Sequence, residues 1–144
     1  MNDSQYIINT LDYIQYLINY VKEEQEELDK NKKELEDNER NIRGARLAVD
    51  SVSARYDILM ASQGINPSTL LEAMSYRSRI SKLANDLESY YVKKRVLERT
   101  INYIQNDINE LELKVDEKIQ LIGIDMEFEE VSRRAKAKEL KQQQ

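Results

Sequence analysis

The segment Met60-Ala-Ser-Gln-Gly-Ile-Asn-Pro-Ser-Thr69 contains, close together, the signals that end one helix and start the next. Gly64 suits the position just after a helix, because glycine adopts a positive φ without strain. Asn66 followed by Pro67 is typical of a helix N-cap and the first helical residue. A stop and a start separated by so few residues predict a turn between two antiparallel helices.

The sequence before this turn has an apolar or aromatic residue at every seventh position. The repeat consists of Ile7, Ile14, Val21, Leu28, Leu35, Ile42, Val49 and Tyr56. A repeat of this length predicts a long helix with one apolar seam. The companion positions are weaker: Leu11 and Ile18 near the N-terminus, Ala45, Val52 and Leu59 near the turn, and between them either Gln25, Lys32 and Glu39 or Asn31 and Asn38. We therefore expect the seam to drift across the helix face.

The sequence after the turn has a more regular stripe with alternating three- and four-residue spacing. It consists of Tyr76, Ile80, Leu83, Leu87, Tyr90, Leu97, Ile101, Ile104, Ile108, Leu111, Val115 and Ile122, interrupted by Lys94 and Lys118. Folding the chain at Gly64 pairs Ile7 with Ile122 and Tyr56 with Ala73, and the one mismatch is Leu35 against Lys94. The acidic stretch 22–41 then faces the basic residues of 88–107, which favours this register over slipped ones.

These patterns predict an all-α protein, an elongated antiparallel two-helix coiled-coil hairpin with a short C-terminal helix, oligomerised into a helical bundle. The hairpin would occupy residues 1–123, with helix 1 at about 4–61, the turn at about 62–67 and helix 2 at about 68–122. Gly123 and Asp125 predict a break before a short helix and basic tail at 124–144. Because two helices bury only a narrow seam, apolar surface should remain for another chain.

The composition argues against an enzyme. The chain has no histidine and no cysteine, which removes the commonest general base, thiolate nucleophiles and most metal-binding patterns. Gly44, Gly64 and Gly123 are too far apart to form a phosphate-binding loop. We therefore predict no catalytic residues, cofactor, metal or small-molecule substrate.

A protein interface is expected where the hairpin's two ends meet. Residues 6–21 are apolar or aromatic around most of the helix circumference, and the facing part of helix 2 is similarly rich, which indicates burial on more than one side. The residues expected in an oligomer or partner interface are Tyr6, Tyr13, Tyr16, Leu17, Tyr20, Leu113, Ile119, Leu121, Ile124 and Phe128. They would be covered by a second copy, by a different protein, or by the chain's own C-terminal segment.

Two further groups are candidates for contacts. Near the turn, a partner contact or a short local core would involve Tyr56, Met60, Ile65, Leu70, Met74 and Arg77. In the tail, an anionic partner would meet Arg133, Arg134, Lys136, Lys138 and Lys141. The alternative for the tail is a helix end whose cations suit the helix dipole. Nucleic acid is disfavoured, because the net charge is −5 and no aromatic residue is interleaved with these cations.

The expected function is therefore that of a non-enzymatic assembly or adaptor protein, such as a scaffold, stalk or structural component, acting on a protein partner or on itself. The alternative is an inhibitor or regulator of viral origin that binds and masks a partner protein. The N-terminus lacks a signal-peptide pattern, and no uncharged run approaches the ~20 residues that span a bilayer. No membrane association is expected, and the expected location is the cytoplasm, or a virus-infected cell or particle.

Overall fold

The protein folds as a helical hairpin. The computed structural model describes residues 3–63 and 66–142, except for the side chains of residues 3, 63, 127–129, 131 and 132. Helix α1 spans Asp3–Gln63 and helix α2 spans Pro67–Gln142, and no strand occurs in the described residues. The two long helices pack against each other, so the predicted all-α antiparallel hairpin is confirmed.

The start of α2 is capped as the sequence predicts. The backbone N–H of Thr69 donates to Oδ1 of Asn66 at 2.9 Å. The backbone N–H of Leu70 donates to the Asn66 carbonyl oxygen, also at 2.9 Å. Pro67, which has no N–H to leave unsatisfied, is the first helical residue. Gly64 lies outside the described residues, so its role after α1 stays a prediction.

The contacts divide the chain into two units. The terminal unit comprises Met1–Leu28 and Tyr103–Gln144, and the turn unit comprises Asp29–Asn102. Each unit is a pair of helical segments with its own buried seam. In the terminal unit the most buried apolar residues are Ile14, Leu17, Leu28, Ile104, Ile108 and Ile122, and in the turn unit they are Ile42, Val52, Leu59, Ala73 and Leu97.

The seam of α1 keeps a strict seven-residue phase. Its first position is the repeat that begins at Ile7, and its second position is Thr10, Leu17, Glu24, Asn31, Asn38, Ala45, Val52 and Leu59; all of these are buried or half-buried. Leu11, expected as a seam companion, is 50% exposed. The predicted drift of the stripe is therefore wrong. The seam does not drift because α2 has the same seven-residue phase, and a drifting stripe on α1 would turn away from α2.

The stripe predicted for α2 is confirmed, because every member is buried or half-buried, as are Lys94 and Lys118. The C-terminal segment is helical, but it is continuous with α2, which passes through Gly123 and Asp125 to Gln142. Gly123 is exposed, and nothing lies within 4 Å of where its Cβ would be. A glycine inside a helix costs about 1 kcal/mol relative to alanine, which buried neighbours such as Ile122 readily offset.

Polar side chains interrupt the seam of the turn unit. Asn38 is 1% exposed, and its Nδ2 donates to the Tyr90 carbonyl oxygen at 2.8 Å. The predicted register places Asn38 opposite Tyr91, so the observed pairing agrees to within one residue. Oδ1 of Asn38 is buried without a hydrogen-bond partner among the described residues. Burying an unsatisfied acceptor is unfavourable, so Asn38 opposes the stability of the hairpin while selecting its register.

The mismatch of Leu35 with Lys94 is resolved by the reach of the lysine side chain. Nζ of Lys94 lies 3.8 Å from Oε1 of Glu39 and 4.0 Å from Oε1 of Glu98. The aliphatic stem therefore lies along the seam while the ammonium group extends to carboxylates at its edge. The Lys94–Glu39 pair joins the two helices and is partly exposed, which limits its contribution to about 0–1 kcal/mol.

Replacing Asn38 with leucine is expected to stabilise the protein. Asn38→Leu removes the unsatisfied buried acceptor and adds apolar contact, so the free energy of unfolding should rise by roughly 1–2 kcal/mol. Urea unfolding followed by circular dichroism measures this as a higher midpoint with an unchanged slope. Asn41→Leu is the matched control, because Asn41 is exposed on the same helix. A midpoint that falls for Asn38→Leu would contradict the prediction.

Removing the N-cap of α2 is expected to weaken the hairpin. Asn66→Ala eliminates the bond from the Thr69 N–H and should lower the free energy of unfolding by about 1 kcal/mol, whereas Asn66→Gly should lower it by only a few tenths. Thermal unfolding of the two variants distinguishes capping from a general effect of substitution in the turn. An unchanged free energy of unfolding in Asn66→Ala would show that the cap does not stabilise the hairpin.

Candidate interaction surfaces

The candidate sites in the described residues are large apolar side chains that remain exposed beside the seam. No group of three or more acidic side chains in residues 3–63 and 66–142 is placed to hold a metal ion. Within the described parts of α1 and α2, no stretch is both long and apolar enough to cross a bilayer. The informative features are therefore large apolar side chains that remain exposed beside the seam.

One side of the terminal unit is aromatic. Tyr6, Tyr13 and Tyr20 are exposed and lie seven residues apart, so they project from the same side of α1. The Tyr13 ring stacks on Tyr16, with centroids 6.4 Å apart and planes 19° apart. Tyr20 lies close to Tyr103 of α2. Together with two residues on the same side of α2, they form what we call the tyrosine flank: Tyr6, Tyr13, Tyr16, Tyr20, Tyr103, Leu121 and Ile124.

Two carboxyl groups face each other at the edge of the tyrosine flank. Partial burial and the neighbouring Asp107 carboxylate raise the pKa of Glu24, and a hydrogen bond between the two carboxyl groups adds to this rise. The Tyr20 hydroxyl bonds to Glu24, which opposes the rise. The negative charges of Glu24 and Asp107 in turn raise the pKa of Tyr20. Glu24 occupies a seam position, so α1 places a carboxylate where an apolar residue would stabilise the unit.

The opposite side of the terminal unit is aliphatic. An open groove of about 370 Å³ is lined by Ile18, Val21 and Val115, with Lys22, Glu112 and Asp116 at its edges. Leu11 precedes Ile18 by seven residues, and Ile119 and Met126 follow Glu112 by seven and fourteen. Residues with this spacing extend the groove along both helices. We call this surface the aliphatic flank: Ile8, Leu11, Ile18, Ile119 and Met126, all exposed except Ile18, which is half-buried.

The structure divides the predicted interface residues between these surfaces. Ile119 belongs to the aliphatic flank, whereas Tyr6, Tyr13, Tyr16, Tyr20, Leu121 and Ile124 belong to the tyrosine flank. Leu113 is exposed on the side of α2 away from α1. Leu17 differs from the prediction: it is 3% exposed in the seam and has no surface left for a second chain. The side chain of Phe128 lies outside the described residues.

Ile8, Leu11 and Met126 lie on the aliphatic flank but are not among the predicted interface residues. The sequence assigns Leu11 to the seam because positions 10 and 11 both fit as companions of a seven-residue repeat that begins at Ile7. The burial of Leu17, Asn31 and Asn38 shows that the companion positions follow Thr10, which leaves Leu11 beside the seam.

The residues predicted near the turn are mostly exposed. Met60, Leu70, Met74 and Arg77 are exposed, Tyr56 is half-buried, and Ile65 lies outside the described residues. The local core at this end of the helices consists instead of Leu59, Thr69 and Ala73, which are all buried. Met60, Leu70, Met74 and Arg77 are therefore accessible to solvent, whereas Tyr56 belongs to the seam.

The basic tail is the exposed end of α2. Arg133, Arg134, Lys136, Lys138 and Lys141 are all exposed, and Lys141 lies in the last turn of the helix. Nη2 of Arg134 lies 2.7 Å from Oε1 of Glu130, one turn earlier. Lys141 interacts favourably with the helix dipole because it lies in the last turn, whereas the other four cations lie farther from the helix end and stay candidates for an anionic partner.

No protein-family model matches this chain, and no curated protein or solved structure matches it. Its surfaces are therefore interpreted from their own chemistry.

Neutralising Glu24 is expected to stabilise the protein at neutral pH. Because the pKa of Glu24 is higher in the folded than in the unfolded state, the folded state binds more protons between the two values. Stability is therefore greatest below the unfolded pKa, about 4.3, and falls as the pH rises through the raised pKa. Glu24→Gln should remove this fall, so its unfolding midpoint should exceed that of the wild type near neutral pH and approach it in acid.

Urea unfolding over a range of pH measures this difference. The matched control is Glu23→Gln, because Glu23 is an exposed neighbour outside the carboxyl pair. If Glu24→Gln and Glu23→Gln change the midpoint equally at every pH, the pair with Asp107 has no effect on stability.

Proposed function

We propose that this chain is a non-enzymatic assembly protein that associates with a second copy through the aliphatic flank of its terminal unit. The observation that carries the proposal is the group of large apolar side chains on one side of the terminal unit, Leu11 and Ile18 of α1 with Ile119 and Met126 of α2. These side chains lie beside a seam that is already filled. A hairpin that buries this flank against another hairpin forms a four-helix bundle, a common arrangement of such units.

The large solvent-accessible area of the single chain supports burial of part of its surface by association. The chain exposes 11204 Å², whereas a compact protein of 17.0 kDa exposes about 7,700 Å². Two helices share one seam, so each helix leaves most of its circumference in water. Large apolar side chains in that remaining surface favour association, because burying each one releases roughly 1.5–3 kcal/mol.

A second copy is the simplest occupant of the aliphatic flank. Most soluble assemblies are symmetric homo-oligomers, in which one surface covers the same surface of another copy. The aliphatic flank suits such a contact because its members are large apolar side chains, with Lys22, Glu112 and Asp116 beside them. The tyrosine flank is suited to a different protein, since tyrosine combines a large apolar ring with a polar hydroxyl and is enriched at interfaces.

The absence of catalytic chemistry in the sequence is consistent with this proposal. A chain without histidine or cysteine would need carboxylates, lysines or tyrosines in an enclosed site for catalysis. The grooves beside the seam are open to solvent. The acidic residues are distributed along exposed helix faces, where they act on association and solubility.

Light scattering after size exclusion, over a range of protein concentrations, tests the association. The wild type should form a dimer or larger assembly whose mass falls on dilution. The double variant Leu11→Gln/Ile119→Gln preserves charge and helical propensity but removes two apolar contacts. The loss of roughly 2 kcal/mol or more should weaken association at least tenfold. Leu47→Gln is the matched control, because Leu47 is 71% exposed on α1 in the turn unit.

A wild type that is monomeric at every concentration would contradict self-association and favour the alternative, a different protein that this chain binds and masks. Equal weakening by Leu11→Gln/Ile119→Gln and Leu47→Gln would assign association to general hydrophobicity rather than to the aliphatic flank. Circular dichroism of each variant establishes that the helices are intact.

A further inference from the structure

The turn unit has a groove whose chemistry differs from that of both flanks. It is open, has a volume of about 480 Å³ and runs beside the seam. Ala48, Val52 and Leu83 contribute its apolar part. Ala48 and Ser51 are small side chains on the α1 side of the groove.

Cations dominate the walls of this groove. Arg55 from α1 and Arg79 and Lys82 from α2 line it together with one carboxylate, that of Asp86. All three cationic side chains belong to exposed residues. Within residues 3–63 and 66–142, none of the three forms an ion pair within 4.0 Å. The groove therefore concentrates positive charge that the hairpin does not neutralise.

This arrangement does not serve the stability of the hairpin. Opposite charges across the seam stabilise an antiparallel pair, as Glu39 and Lys94 do elsewhere in the same unit. Arg55 and Arg79 come from opposite helices and carry like charges, which repel each other. Guanidinium groups bind carboxylates through two parallel hydrogen bonds, so such a pair suits an anionic side chain from outside.

Asp86 and the apolar residues of the groove indicate which class of anionic partner the groove suits. A bare polyanion such as nucleic acid would place phosphates against Asp86 and against the apolar part of the groove. An acidic helix instead carries carboxylates and aliphatic stems on one face, which matches both the cations and the apolar part of the groove. The groove is therefore better suited to an acidic protein helix than to nucleic acid.

The chain itself contains such a helix. The terminal unit has 16 acidic and 8 basic residues, whereas the turn unit has 11 acidic and 14 basic residues. The densest acidic run is Glu23-Glu24-Gln25-Glu26-Glu27 of α1. Glu23 and Glu26 are exposed and form no ion pair within 4.0 Å in the described part of the chain. A second copy therefore supplies the complementary charge.

We propose that the groove formed by Arg55, Arg79 and Lys82 binds the acidic run around Glu23 and Glu26 of a second copy. This contact joins different surfaces of two copies, unlike the proposed association of one aliphatic flank with another. A contact between unlike surfaces leaves one groove and one acidic run unoccupied at the ends, so it propagates into longer assemblies. It depends on charge, whereas the aliphatic flank depends on apolar burial.

Salt separates the two contacts experimentally. The protein is examined by light scattering at about 0.01 M and about 1 M salt, between which the screening length falls from about 30 Å to about 3 Å. The background is Leu11→Gln/Ile119→Gln, which keeps every charge but lacks the aliphatic contact. Assemblies that form at low salt and dissociate at high salt are expected. Their absence from this background at low salt, with intact helices, would overturn the proposal.

Charge reversal identifies the surfaces. Arg55→Glu/Arg79→Glu should abolish the salt-sensitive association, and Glu23→Lys/Glu26→Lys should do the same. Mixing the two variants should restore it as a complex of one with the other, since the mixture contains two complementary pairs of surfaces: the unaltered groove with the unaltered acidic run, and the two reversed surfaces with each other. The matched control is Arg43→Glu/Arg95→Glu, which makes the same change in net charge at one exposed position on each helix of the turn unit, and neither position lines the groove. A control as deficient as the groove variant, or a mixture that does not associate, would overturn the proposal.

A structural role for the arginines is tested with Arg55→Gln. Removing one of two like charges should leave the unfolding midpoint unchanged or higher, while weakening the salt-sensitive association at least threefold. A lower midpoint would show that Arg55 serves the hairpin itself and would overturn the proposal. If the wild type forms salt-sensitive assemblies but shows no association that persists at high salt, the self-association through the aliphatic flank is contradicted and the groove contact is not.

Discussion

The seven-residue phase shared by α1 and α2 is the constraint on which the other features depend. Each helix turns the same two positions of its repeat toward the other, so every residue beside those positions is left at an edge or in water. Leu17 is buried for this reason, and Leu11 is exposed although it is the same residue type. The chain has more large apolar residues than one seam accommodates, and the surplus forms the two flanks of the terminal unit.

Polar residues in the seam lower the stability of the hairpin. Glu24, Asn31 and Asn38 occupy three successive second positions of the α1 repeat. Asn38 donates to the Tyr90 carbonyl oxygen, but its own Oδ1 is buried without a hydrogen-bond partner among the described residues. Glu24 lies beside Asp107, and the pKa of Glu24 is raised. An apolar residue at either position would pack better in any register. Asn38 satisfies its donor in the observed pairing, which discriminates against slipped pairings of two otherwise similar repeats.

The terminal unit and the turn unit differ in charge. The terminal unit is acidic and apolar at its edges, whereas the turn unit is basic and contains the groove of Arg55, Arg79 and Lys82. These properties favour different contacts: apolar flanks are insensitive to salt, and charged grooves are not. The proposed pairing uses the first kind of surface and the proposed further assembly uses the second, so the two proposals are independent of each other.

The sequence by itself determined the elements and their pairing, because the information is local or periodic. The Asn66–Pro67 cap and the stripe from Tyr76 to Ile122 follow from residue type and spacing, and together they predict the antiparallel hairpin. Gly123 was misleading as a stop signal, since a glycine in an open, helical position weakens a helix by less than its buried neighbours stabilise it. Only the tertiary structure decided which companion residues face α2. Thr10 and Leu11 are adjacent, and the sequence of α1 alone permits either one to occupy the second seam position. The same packing brought Arg55 and Arg79 to one groove and Glu24 to Asp107; these residues are far apart in sequence, and their proximity depends on the register of two packed helices.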